Sequence, residues 1–172
     1  MKVTKKTINR DVQLENNWFV QCFDFANKSC KNSASLYSSR HATTQMKIRD
    51  DIHYGKIGEM WVSELVGGTV DFTILPPEER SYDADIVVGD ENFHVKTYMS
   101  GRLHKPSWVF QKNDPVVTDP TDSDTLCLVK INLDQIIIYF VEAKGMEYSQ
   151  LENKAKSKVA IYEEYLLEHL DN

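Results

Sequence analysis

The chain has 172 residues, 41% hydrophobic and 27% charged, with a net charge of −6. That length suits one domain with a sizeable buried core. No apolar run approaches the roughly 18–20 residues of a membrane span, and the acidic balance argues against an indiscriminate nucleic-acid binder, because phosphate contact needs Lys and Arg.

The opening MKVTKKTINR has no apolar stretch behind it and is not expected to be a secretory signal. From about Val12 to Ala26, VQLENNWFVQCFDFA places Leu14, Trp18, Phe19 and Cys22 near 3–4 spacing, which predicts a helix. Its aromatics Trp18, Phe19, Phe23 and Phe25 read as core. The following NKSCKNSASLYSS is polar and reads as a loop. A second helix is expected from about Thr43 to Val66, ending at Gly67-Gly68, a natural C-terminal stop. Ile57, Met60, Trp61 and Leu65 form its core-facing stripe. Glu59 lies off the centre of that stripe and Glu64 nearer to it. Asp50, Asp51 and His53 read as polar residues on the helix surface.

Strand-like runs follow. TVDFTIL (69–75) stops at Pro76-Pro77, DADIVV and NFHVKTY flank Gly89-Asp90, and SWVF (107–110), TLCLVKI (125–131) and QIIIYFV (135–141) come after. NDPVVTDPTDSD reads as a polar loop. The C-terminal QLENKAKSKVAIYEEYLLEHL is expected to be helical, with KAKSK as its solvated start and Val159, Tyr162, Leu166 and Leu170 as a stripe. Helices, then strands, then a helix imply an α/β fold with a mixed or antiparallel sheet. Cys22, Cys30 and Cys127 are odd in number and form no CxxC pair, which argues against a disulfide framework and a structural zinc site and points to a reducing cytoplasm. Basic residues gather as Lys2, Lys5, Lys6 and Arg10; as Arg40, Lys47, Arg49 and Lys56; and as Arg102, His104 and Lys105.

The stretch DADIVVGDENFHVK (83–96) carries the chemistry. Side chains alternate across a strand. A two-residue turn at Gly89-Asp90 sets Ile86 opposite Phe93 and Ala84 opposite Val95. Asp85 then falls opposite His94, and Asp83 opposite Lys96, with all four ionisable groups on one side. Carboxylates there would satisfy a hard divalent cation. An imidazole suits transition metals, and a neighbouring lysine can orient or deprotonate a water. The plainer reading is a pair of surface salt bridges on a solvated face.

GKIGEMWVSEL followed by YDADIVVGDENFHVKTY resembles the PD-(D/E)xK nuclease superfamily, over roughly Gly55 to Tyr98. The resemblance implies a restriction endonuclease-like three-layer α/β/α core, with a central mixed sheet of about five strands flanked by helices. It implies a single domain over 1–172, with an N-terminal helical extension (1–42), a catalytic core (43–145) and a C-terminal helix (146–172). The family's helix glutamate falls on Glu59, its strand aspartate on Asp85 with Asp83 as the competing register, and its lysine on Lys96. His94 stands where the family has an acid. The implied activity is a Mg²⁺-dependent DNA endonuclease, with Mn²⁺ as an alternative ion. Asp85 and Glu59 would hold the metal, His94 and Asp83 would be further ligands, and Lys96 would orient the water. Arg102, His104, Lys105 and Gln111 are candidate DNA contacts. Duplex DNA as partner implies a homodimer. Restriction enzymes, junction resolvases, nicking repair enzymes and mobile-element or phage nucleases share this core. Two other readings stand beside it: a nuclease-fold DNA- or protein-binding module altered by His94, and an unrelated α/β interaction domain.

Overall fold

The computed structural model describes residues 1–38, 45–76, 82–151 and 157–171. Arg40, the expected helix start at Thr43, Pro77, Lys154 and Lys156 lie outside the described residues. The chain runs β1 (Val3–Asn9), α1 (Val12–Ser38), α2 (Gln45–Val66), β2 (Ile86–Val88), β3 (Glu91–Met99) and β4 (Ser107–Gln111). It continues through α3 (Pro115–Thr118), β5 (Asp124–Ile131), β6 (Gln135–Glu142), β7 (Ser149–Gln150), β8 (Lys158–Tyr162) and α4 (Glu163–Glu168). No described helix is long and apolar enough to cross a membrane.

Five strands form a central sheet in the order β1-β6-β5-β3-β2. β3 and β5 run parallel and the other neighbours antiparallel, so the sheet is mixed. α1 and α2 cover one face, where Trp18, Cys22, Ile57, Trp61 and Val62 meet Val95, Cys127, Val129, Ile136 and Ile138. Trp18 and Trp61 meet edge to face with centroids 5.3 Å apart. The α/β class and the five-stranded mixed sheet agree with expectation.

The second flank departs from an α/β/α arrangement. It is a three-stranded sheet, β4-β8-β7, joined by the short helices α3 and α4. Trp108, Phe110, Val159, Ile161 and Leu166 there pack against Tyr98, Leu126, Leu128, Tyr139 and Val141 of the central sheet. The cause lies in the C-terminal segment, where KVAIY is a strand and not part of the helix expected from QLENKAKSKVAIYEEYLLEHL. Its Val159 pairs with Phe110 and its Ile161 with Trp108 across β4. Such aromatic–β-branched pairs stabilise a sheet and outweigh the helical spacing of Val159, Tyr162, Leu166 and Leu170.

Other local expectations also give way. The polar NKSCKNSASLYSS stretch continues α1 to Ser38, because Ala26 and Cys30 are buried and extend the Trp18–Cys22 row at intervals of four. Asp11 caps the start of that helix, accepting the amides of Gln13 and Leu14 at 2.9 and 3.0 Å. TVDFTIL forms no strand. Its Asp71 folds back to accept the Thr73 amide at 2.8 Å, and its carbonyl is taken by Lys56 Nζ at 2.7 Å. VTKKTIN, read as a non-signal N-terminus with a basic cluster, is β1, an edge strand whose exposed Lys5 and Lys6 discourage edge pairing with another chain.

α2 ends at Val66, and Gly67 takes the positive φ of a helix stop, donating its amide to the Ser63 carbonyl at 2.8 Å. Leu65, expected on the core stripe, is exposed. His53, expected on the surface, is buried among the rings of Phe19, Phe23 and Tyr54.

Candidate active site

The hairpin has the register that alternation requires. Gly89 and Asp90 form the turn, Gly89 has φ +59°, and Ile86 pairs with Phe93. β3 presents Phe93 and Val95 to the helices and Tyr98 to the second sheet. On that second side the Lys96 ammonium lies 5.7 Å from the centre of the Phe110 ring.

β2 stops at Ile86, and the three expected pairs below it, Asp85–His94, Ala84–Val95 and Asp83–Lys96, do not form as ladder partners. Asp85 still donates its amide to the Phe93 carbonyl at 3.0 Å. Its carboxylate Oδ2 accepts the Val95 amide at 2.6 Å. A side chain thus closes the hairpin where the backbone ladder ends, and this fixes the carboxylate against β3.

Glu59 reaches the same strand from α2. The residue before it is decisive: a Cβ on Gly58 would lie 2.0 Å from Thr97 Oγ1. Only glycine lets the helix come this close, and the approach brings Glu59 toward β3. Glu59 is 9% exposed and ion-paired to Lys56, Oε2 to Nζ 2.6 Å. Burial, and then the charge of Asp85, push the Glu59 carboxyl up to about 7, against the pull of Lys56 and Lys96. Glu59, Asp85, Lys56 and Lys96 therefore form one electrostatic group.

His94 and Asp83 belong to a different neighbourhood. His94 Nε2 lies 3.2 Å from Asp124 Oδ1. The same oxygen accepts Asn92 Nδ2 at 3.1 Å, while Oδ2 accepts the amide and hydroxyl of Thr121 at 2.7 and 2.9 Å. Burial pushes the Asp124 carboxyl up, but the bonds from Thr121, His94 and Asn92 outweigh it and hold the group below the usual range. Asp83, His94, Asn92 and Asp124 line an open cavity of about 420 Å³ together with Tyr82, Ala84, Val87, Pro115 and Val116.

The expected DNA contacts are mostly engaged. Arg102 pairs with Asp51 at 2.5 Å and Lys105 with Glu164 at 2.8 Å. The His104 carbonyl accepts the Tyr98 hydroxyl at 2.9 Å. Gln111 ends β4 opposite Lys158. Elsewhere, Glu15 accepts Arg10 at 2.8 Å and Trp61 Nε1 at 2.9 Å, a buried tie between α1 and α2.

Sequence reasoning missed Lys56 as a member of the site, although it stands three residues before Glu59 on one helix face. It missed Asp124 altogether. Asp124 opens β5 and pairs with Asn92 only through the parallel β3–β5 register, which no local pattern encodes.

Among the described residues no group of three or more His, Cys, Asp or Glu side chains converges on a metal position. Glu59 and Asp85 bring two carboxylates into the electrostatic group that includes Lys96. Comparison with protein-family models, with curated proteins and with solved structures yields no match.

Proposed function

We propose that the chain is a metal-dependent DNA endonuclease that hydrolyses phosphodiester bonds at Glu59, Asp85 and Lys96, on a restriction endonuclease-like variant of its α/β fold. One observation carries the reading: the Glu59 carboxylate is buried in one group with Asp85 and Lys96, where burial first and the Asp85 charge second raise its pKa. Strongly perturbed groups with specific charge partners mark functional sites.

The donor set suits magnesium in kind. Magnesium prefers oxygen ligands and commonly uses one or two carboxylates, completing its shell with waters and substrate phosphate. Glu59 and Asp85 would hold it, and its charge would relieve their mutual repulsion. His94 is left out of that set because its Nε2 faces Asp124. When bound, the ion supplies Lewis-acid polarisation of the phosphate and a more acidic water. The chain's own residues do the rest. Asp85 is held in place by the Val95 amide, Lys56 keeps the Glu59 carboxylate in position, and Lys96 orients the attacking water and balances charge developing on the phosphate.

The acidic balance does not oppose this reading. Arg102 and Lys105 are tied by exposed ion pairs, each worth about 0–1 kcal/mol. A DNA phosphate can displace either carboxylate at little cost. Cutting both strands of a duplex fits a homodimer, since two-fold DNA is matched by two-fold protein.

The engagement of His94 by Asp124 also favours a second reading, a nuclease-fold module that binds DNA without cutting it. One experiment separates the two. Plasmid and short duplexes are incubated with the protein in Mg²⁺ or Mn²⁺, alongside Lys96→Ala and Asp85→Ala. Cleavage lost in both variants supports the endonuclease. Metal-independent binding without cleavage supports the binding module, and absence of any DNA binding sinks both.

A further inference from the structure

We propose that the cavity beside the hairpin receives an unpaired, amino-bearing nucleobase of the DNA substrate, a statement that rests on the nuclease reading. The cavity, about 420 Å³, falls within the roughly 300–1,000 Å³ typical of small-molecule sites. Its wall is apolar at Val87, Pro115 and Val116, and Tyr82 offers an aromatic surface for stacking. The Tyr82 hydroxyl accepts Asn113 Nδ2 at 3.4 Å, which ties that wall to the loop before α3.

The polar side of the cavity selects the ligand. Asp83 and Asp124 both line it, and their charge rejects a phosphate and favours a neutral group rich in N–H donors. Asp124 is already occupied: Asn92 and His94 meet one oxygen, and the Thr121 amide and hydroxyl meet the other. It acts as a clamp that orients His94 and Asn92. A carboxylate only accepts, so His94 Nε2 carries the hydrogen of that bond, and its Nδ1 remains an acceptor when the ring is neutral. The Asn92 amide donates to Asp124 and keeps its carbonyl oxygen as a second acceptor. Acceptors beside an apolar wall fit the amino edge of a base.

Position links this cavity to the cutting residues. Asp83 and Ala84 line it, and Asp85 follows directly in the chain. Asp83 and Asp85 are separated by at most about 7 Å of extended backbone. A base seated in the cavity therefore leaves its own phosphate outside, next to Asp85. An extruded base costs a few kcal/mol to unstack, least when it is already unpaired. Such a pocket would direct cutting to mismatched, bulged or single-stranded positions.

The test is binding in EDTA, where no cleavage occurs, measured by anisotropy on two short labelled duplexes. One is fully paired and the other carries a single unpaired adenine. Val87 is 57% exposed on β2, so Val87→Trp fills the cavity mouth without disturbing the core; Asn92→Ala removes one acceptor. Wild type is expected to bind the unpaired-adenine duplex about tenfold tighter, a difference of about 1.4 kcal/mol. Both variants should lose this preference and bind the paired duplex as wild type does. Equal binding of the two duplexes by wild type overturns the pocket and leaves the nuclease reading to the cleavage assay. A preference that survives Val87→Trp also overturns it. Failure to bind either duplex overturns the pocket and leaves the nuclease reading to the cleavage assay in Mg²⁺.

Discussion

The Asp85 carboxylate accepts the backbone amide of Val95 at 2.6 Å, closing the hairpin one residue beyond the last ladder pair. Val95 is buried, so its amide finds no water if that oxygen is lost. Asp85→Ala should cost about 1–3 kcal/mol, the penalty of a buried unpaired donor. Asp85→Asn keeps an acceptor in place and should cost less than half as much. Urea denaturation of the three proteins measures both effects. Equal stability of wild type and Asp85→Ala would remove the structural half of this residue's role.

Glu59 makes stability fall as pH rises. Its folded pKa of about 7 lies above the ordinary value of 4.5. The folded state therefore holds a proton that the unfolded state has released, and the stabilisation is complete below about 4.5 and lost as pH climbs through 7. The difference corresponds to about 3 kcal/mol for this buried group. Glu59→Gln should flatten that decline. Denaturation midpoints at pH 5 and pH 8, wild type against variant, read it directly.

His53 works in the opposite sense. Burial among aromatic rings lowers its pKa from 6.5, despite the nearby charge of Asp50, which raises it. The unfolded chain therefore takes up a proton there before the folded chain does. Stability is unaffected above about 6.5 and declines as pH falls below it. His53→Phe should remove this acid sensitivity, visible as a higher melting temperature than wild type at pH 5 and a similar one at pH 8.

Gly58 is required for the approach of α2 to β3. A methyl group there would sit 2.0 Å from Thr97 Oγ1, so Gly58→Ala should destabilise by about 1–3 kcal/mol through overpacking. Removing the opposing hydroxyl in Gly58→Ala/Thr97→Ala should restore part of the loss. A double-mutant cycle with no coupling between the two positions would show that the contact is unimportant.

Parts of this fold are written in short-range pattern, and those parts were legible. The hairpin register follows from two-residue alternation and one glycine turn, and β5 and β6 follow from apolar runs of strand length. Elements decided by distant partners were not legible. KVAIY carries helical spacing and becomes a strand only because SWVFQ lies beside it. VTKKTIN is a strand because β6 offers a free edge, with Val3 opposite Val141. In the candidate site, strand alternation and one turn put Asp85 and Lys96 on one side, whereas Glu59 was joined to them only through the family resemblance. The diversion of His94 was not legible, because Asp124 stands thirty residues away and meets it through a parallel pairing.

The central claim is that Glu59 belongs to the hydrolytic group and His94 does not. Single-turnover cleavage of a fully paired duplex in Mg²⁺, by Glu59→Gln and by His94→Ala, tests it most directly. The account predicts a loss of more than about 100-fold for Glu59→Gln, the scale of removing a group that acts on the transition state, and less than about tenfold for His94→Ala. The reverse order, with His94→Ala inactive and Glu59→Gln near wild type, would contradict it.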